Sequence, residues 1–135
     1  MLTENDIVSK VTDYLRKSGY EIVQSLTTKE KGVDIIAKNL NHVLYIEAKG
    51  ETSSMDNTNR FGSEFSPTQI ISHVSRAIFA SMAILHDKPA GPKTKVAIAL
   101  PDNNGHWQLV TKIINPLRTL GIKVFWVTDD KVSEE

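Results

Sequence analysis

Hydrophobic and polar positions change period several times along the chain, and each change marks an element. Over residues 3–18, Ile7, Val8, Val11, Tyr14 and Leu15 recur at helical spacing as one stripe, with Asp6, Lys10, Asp13 and Lys17 opposite. Thr3 followed three residues later by Asp6 is a capping-box start, and Gly19 is the stop. Glu4 breaks the pattern by falling near the middle of the apolar stripe; either the helix dipole at the first turn or a site at the helix end would account for it. Residues 20–26 then alternate as a strand does.

Two apolar runs follow, Val33-Asp34-Ile35-Ile36-Ala37 and Val43-Leu44-Tyr45-Ile46-Glu47-Ala48-Lys49, joined by Asn39-Leu40-Asn41-His42. Their β-branched content and short polar link predict a hairpin. Alternation places Val43, Tyr45, Glu47 and Lys49 on one face. A four-residue connection pairs Lys38 with Val43, and counting back sets Asp34 opposite Glu47 on that face. Two carboxylates and one ammonium thus gather inside apolar strands, where burial is costly unless the charges are paired or bind a metal.

Residues 51–65 are polar, irregular and long for a connection; they leave directly from Lys49 and are expected to form a mobile loop bordering the site. Ser66-Pro67-Thr68-Gln69 supplies a cap, a first-turn proline and a capping-box partner for a helix running to about Leu85. That helix is expected to bury Ile70, Ile71, Val74, Ile78 and Leu85, with Gln69, His73 and Arg76 as a polar stripe on the opposite face. Residues 95–100 read as a strand buried on both faces. Asp102-Asn103-Asn104-Gly105 turns into a helix over 106–120 with Trp107, Val110, Ile113, Ile114, Leu117 and Leu120 as core, kinked or split by Pro116. Gly121 ends it, residues 122–127 form the last strand, and the acidic tail from about 129 to 135 is expected to fray. The order α-β-β-β-α-β-α-β predicts one α/β domain over 1–135, a mixed five-stranded sheet flanked by helices.

Composition narrows the function. At 135 residues with 40% hydrophobic and 24% charged content, the chain suits one globular core. The absence of cysteine removes disulfides, thiol nucleophiles and cysteine zinc sites. The first residues lack a targeting pattern and no apolar run has the length of a membrane span, so a cytoplasmic protein without a membrane partner is expected. Sixteen basic and sixteen acidic side chains balance, so binding a polyanion requires a local basic face or a bound cation. Phosphate-binding glycine loops, a nucleophile elbow and paired zinc histidines do not occur in the sequence. His42, His73, His86 and His106 are scattered and read as surface or turn residues.

What remains is Asp34, Glu47 and Lys49, with Glu4 within reach in principle. Converging carboxylates suit a hard divalent cation such as magnesium or manganese, and a lysine beside them stabilises an anionic oxygen or helps deprotonate water. That combination fits phosphodiester hydrolysis. Lys29 and Lys31, in the turn leading to Asp34, and the stripe of Gln69, His73 and Arg76 are candidate substrate contacts.

Gly32-Val33-Asp34 followed by Ile46-Glu47-Ala48-Lys49, within this order of elements, resembles the PD-(D/E)xK nuclease superfamily of the restriction endonuclease-like fold. The spacing is similar to that of the archaeal Holliday-junction resolvases, with Val33 where the motif's nominal proline stands. The resemblance implies a DNA endonuclease in which Asp34 and Glu47 hold Mg2+ or Mn2+, the Ala48 carbonyl assists, and Lys49 orients or activates water. It further implies that Glu4 joins the metal shell directly or through water, and Gln69 matches a helix glutamine that some members carry near the active centre. Paired cuts in a duplex or junction would need two sites, hence a homodimer. The competing expectation is a nuclease-fold module that binds DNA or regulates within a larger assembly without cleaving.

Overall fold

The computed structural model describes residues 1–52, 64–88 and 91–135. The elements are α1 (Glu4–Lys17), β1 (Glu21–Ser25), β2 (Ile35–Lys38), β3 (Val43–Ala48), α2 (Pro67–Asp87), β4 (Thr94–Pro101), α3 (Asn104–Thr111), α4 (Ile114–Leu120), β5 (Ile122–Val127) and β6 (Val132–Glu134). The strands lie side by side in chain order from β1 to β6. Pairing is antiparallel through β1, β2 and β3, parallel from β3 to β5, and antiparallel again at β6. The protein is therefore α/β, with helices on both faces of a mixed sheet.

α1 starts at the predicted box: Thr3 Oγ1 accepts the Asp6 N–H at 3.1 Å while Asp6 Oδ2 accepts the Thr3 N–H at 2.9 Å. Its buried Ile7, Val8, Val11 and Leu15 pack on one sheet face with Ile35, Leu44, Ile46 and Phe125. On the other face Ile70, Val74 and Ala77 of α2, Val110 of α3 and Leu117 of α4 meet Ile98, Leu100, Val124 and Trp126. β4 serves both cores, sending Ala97 and Ala99 to the α1 side and Ile98 and Leu100 to the α2 side. This is the two-sided burial that its unbroken apolar run requires.

The hairpin register is the predicted one, with Lys38 paired to Val43 and Ile35 to Ile46. Ile35, Leu44, Ile46 and Ala48 belong to the α1-side core, so alternation turns Asp34, Tyr45, Glu47 and Lys49 to the α2 side. β1 carries a bulge between Ile22 and Gln24, which leaves Val23 exposed.

Elsewhere the sequence expectation needs correction. The sheet has six strands, not five, because the acidic tail pairs instead of fraying: Glu135 and Val124 exchange backbone hydrogen bonds of 2.8 and 3.2 Å. Side-chain donors hold the tail's acids, with the Tyr14 hydroxyl donating to Glu134 at 2.7 Å and Trp126 Nε1 to Glu135 at 2.9 Å. The helix expected over 106–120 is split, as Pro116 suggested, but the break falls earlier, at Lys112 and Ile113. Pro116 sits in the first turn of α4, where its missing N–H has no intrahelical acceptor to lose. Trp107 and Leu120 are 39% and 41% exposed and so are not core; Trp107 stacks on Trp126 with centroids 4.6 Å apart.

In α2, Ile71 is half exposed, and Ala77 and Ser81 are buried in its stead. Phe79 and Met82 also face outward. Apolar residues on several sides of one helix leave its buried face undetermined by pattern alone. Because of the same spread, among the described residues one helix, α2, is long and apolar enough by length and composition to cross a bilayer, contrary to expectation. Most of the anticipated loop, residues 53–63, lies outside the described residues. Its flanks are tied together, Phe65 N–H donating to the Glu51 carbonyl at 3.1 Å.

Candidate active site

Three elements converge at the open end of the β2–β3 hairpin. Asp34 enters just before β2, Glu47 lies within β3 and Lys49 just past it, and α1 brings Glu4 from its first turn. The carboxylate of Asp34 is fixed to the neighbouring strand, where its Oδ2 accepts the Ala48 N–H at 2.8 Å. Ala48 is fully buried between Glu47 and Lys49. The Lys49 N–H donates to the Ala99 carbonyl at 3.0 Å, so β4 pins the end of β3 from the other side. Lys49 Nζ reaches Glu4 Oε1 at 3.7 Å, with only 20% and 21% of the two side chains exposed.

The placement of Glu4 depends on a glycine. A Cβ on Gly50 would stand 2.4 Å from the Glu4 nitrogen and 2.6 Å from the Thr3 carbonyl carbon, so only glycine lets α1 approach β3 this closely. Thr52 then forms a parallel bridge with Thr3.

Electrostatically the cluster is crowded with negative charge. Burial and the nearby Asp34 carboxylate push Glu47 up to about 8, and the two carboxyl groups share a hydrogen bond. Burial, opposed by the Ala48 N–H and by Glu47, raises Asp34. Burial, then Asp34, raises Glu4 despite Lys49. Both carboxyl groups are raised, so the pair favours sharing one proton, which relieves repulsion that one lysine leaves uncompensated. Hard oxygen donors in this state fit a divalent cation, whose charge would replace the proton. Among the described residues no three acidic or histidine side chains form a closed ion cage. Two carboxylates with a shell completed by water or substrate is the arrangement magnesium commonly adopts.

The other sequence-predicted residues divide. His73 lies half-buried beside the cluster: its pKa is lowered by burial, then by Lys49 and Arg76, and its ring meets Phe65 edge-on at 4.5 Å. Gln69 is half-buried and serves as the reciprocal cap of α2, its Oε1 accepting the Ser66 N–H at 2.8 Å. Arg76 is exposed on the same side. At 100° per residue these three occupy a flank of α2 next to its buried face; the position directly opposite that face belongs to Phe79. Lys29 and Lys31 are exposed on the turn before Asp34, and that turn touches the start of α1 through Thr28 N–H and Asn5 Oδ1 at 3.1 Å.

Sequence reasoning missed Gly50, Glu51, Asn103 and His106. His106 is fully buried, and burial lowers its pKa to about 4, correcting its reading as a surface or turn residue. Its signal was present in the Asn103 to His106 spacing, an N-cap on its N3 residue. No family model, curated protein or solved structure matches this chain.

Proposed function

We propose that this protein is a metal-dependent endonuclease of the restriction endonuclease-like fold that hydrolyses DNA phosphodiester bonds. The observation that carries the reading is the Asp34–Glu47 carboxyl pair beside Lys49 on one face of adjacent strands, Asp34 held by the Ala48 N–H at 2.8 Å and Lys49 by Glu4 at 3.7 Å. A pair whose repulsion is merely structural has no reason to persist, since an apolar substitution would remove it.

On this reading Asp34 and Glu47 hold Mg2+ or Mn2+, with the Ala48 carbonyl and Glu4 as further oxygen donors. When bound, the ion supplies Lewis acidity and charge compensation at the scissile phosphate. Lys49 orients the attacking water and stabilises negative charge developing on phosphate oxygens. Glu4 keeps the ammonium of Lys49 directed into the cluster, and the Ala48 N–H keeps Asp34 from rotating away. Gln69, His73 and Arg76 on α2, and Lys29 and Lys31 on the turn, contact the DNA backbone. Two copies acting as a homodimer would make paired cuts.

The test is calorimetric titration of Mg2+ or Mn2+ into wild type and Asp34→Ala, followed by incubation with supercoiled plasmid and a four-way junction. Metal binding that disappears in Asp34→Ala, with nicking by wild type alone, is the expected result. Metal binding indifferent to Asp34→Ala would instead favour a non-cleaving nuclease-fold module working within a larger assembly.

A further inference from the structure

We propose that Glu51 and Asn103 form a positioning clamp, locked in orientation by His106, that fixes Glu4 against Lys49. The catalytic consequence rests on the nuclease reading above; the geometry of the clamp does not.

Glu51 stands two residues beyond Lys49 and grips both backbone groups of Leu2. Its Oε2 accepts the Leu2 N–H at 2.9 Å, and its own N–H donates to the Leu2 carbonyl at 2.8 Å. Leu2 lies two residues before Glu4, so the first turn of α1 is held to the end of β3. The other carboxylate oxygen of Glu51 accepts Asn103 Nδ2 at 3.3 Å.

Asn103 is itself locked. Its Oδ1 caps α3 by accepting the His106 N–H at 3.0 Å, and it faces His106 Nδ1 at 2.8 Å. An atom that accepts a backbone N–H is the amide oxygen, so Nδ1 carries the proton of the ring. His106 is fully buried and neutral at physiological pH, and its Nε2 makes no hydrogen bond among the described residues. Its single N–H is thus committed to Asn103. Rotating the amide would break two hydrogen bonds at once, so Nδ2 stays aimed at Glu51.

Three consecutive residues after Lys49 therefore act on the start of α1: Gly50 by close contact, Glu51 by hydrogen bonds and Thr52 by its bridge to Thr3. Glu4 reaches Lys49 with a flexible side chain at 3.7 Å, a distance that holds only while Leu2 and Thr3 stay docked.

A polarity swap tests the clamp. Asn103→Asp retains the oxygen that caps α3 and receives the His106 proton, but turns a carboxylate oxygen toward Glu51 in place of an N–H. Glu51→Gln combined with Asn103→Asp restores the link, because glutamine keeps an acceptor for Leu2 and offers an N–H to the new carboxylate. In metal-free full-length protein, Asn103→Asp should speed hydrogen exchange of the Leu2 and Glu51 amides about tenfold, and the double variant should bring it back.

In plasmid nicking, Asn103→Asp should lower kcat about 10- to 100-fold with little change in KM. The double variant should recover to within about threefold, and Asn103→Asp should cost nothing further in a Glu4→Ala background. Unchanged exchange in Asn103→Asp, no recovery in the swap, or a loss that adds to that of Glu4→Ala would each overturn the clamp. Should wild type fail to nick DNA, the nuclease reading falls, and the exchange measurement still decides whether the clamp holds α1.

Discussion

The β2–β3 hairpin carries a lysine–glutamate pair at each end, and the two pairs have the same length. At the turn end Lys38 lies 3.7 Å from Glu21, with side chains 53% and 71% exposed. At the open end Lys49 lies 3.7 Å from Glu4, with side chains one-fifth exposed. Water screens the first pair, whose contribution is about 0–1 kcal/mol. The second is largely desolvated and shares its space with Asp34 and Glu47, so its lysine sits among three carboxyl groups whose pKa values are all raised. Separation alone says nothing about what an ion pair does. Burial and the sign of the neighbours decide whether it is incidental or holds a site together.

Breaking the two ends separately should give very different results. The largest expected effect is on chemistry: Lys49→Ala should reduce plasmid nicking about 10²- to 10³-fold, by analogy with removal of one charge-stabilising donor. Next comes Gly50→Ala, which forces a methyl group to within 2.4 Å of the Glu4 backbone nitrogen. Overpacking against backbone should destabilise the fold by about 2–3 kcal/mol in urea denaturation and displace Glu4. A wild-type midpoint in that variant would mean that α1 does not depend on this close approach.

Glu47→Gln should have a smaller effect of opposite sign. Because Glu47 is raised from 4.5 to about 8 in the fold, the native protein keeps a proton over that range that the unfolded chain has released. Stability of the metal-free protein therefore falls as pH rises through this window, and the loss is complete above it. Replacing the titrating group should flatten the slope and stabilise the metal-free protein at pH 8 by about 1–2 kcal/mol, allowing for solvent screening of a half-exposed group. Parallel pH profiles for variant and wild type would show that the Asp34–Glu47 pair shares no such proton. Smallest of all, Lys38→Ala should shift stability by less than about 0.5 kcal/mol and leave nicking unchanged.

Local rules made much of this legible in the sequence. The two capping boxes name helix starts through one side chain and one N–H three residues apart, and both formed. The four-residue turn fixed the hairpin register, and with it the facing of Asp34 and Glu47. Glu4 was conspicuous as an acid on an apolar stripe. Non-local features were not legible. β6 depends on the open edge of β5 and on donors from Tyr14 and Trp126, none of which its own acidic sequence announces. The buried side of α2 is a tertiary choice among several apolar faces. The union of Leu2, Glu51, Asn103 and His106 spans 104 positions of sequence and leaves no periodic trace.

Strand order has a kinetic consequence. Every neighbouring pair in the sheet is also consecutive in the chain, so the antiparallel pairs close over short links, and the parallel β3–β4 and β4–β5 pairs close over longer crossovers that carry their own helices. The exception is α1. It precedes every strand, yet its seat includes Phe125 and Val127 of β5, and Tyr14 reaches Glu134 across 120 positions. The helix that delivers Glu4 thus comes before the strands in the chain and docks fully only after β5 and β6 are in place. Positions 4 to 49 hold all four residues of the carboxylate–lysine cluster, but full seating of the helix that completes it waits on residues 122–134.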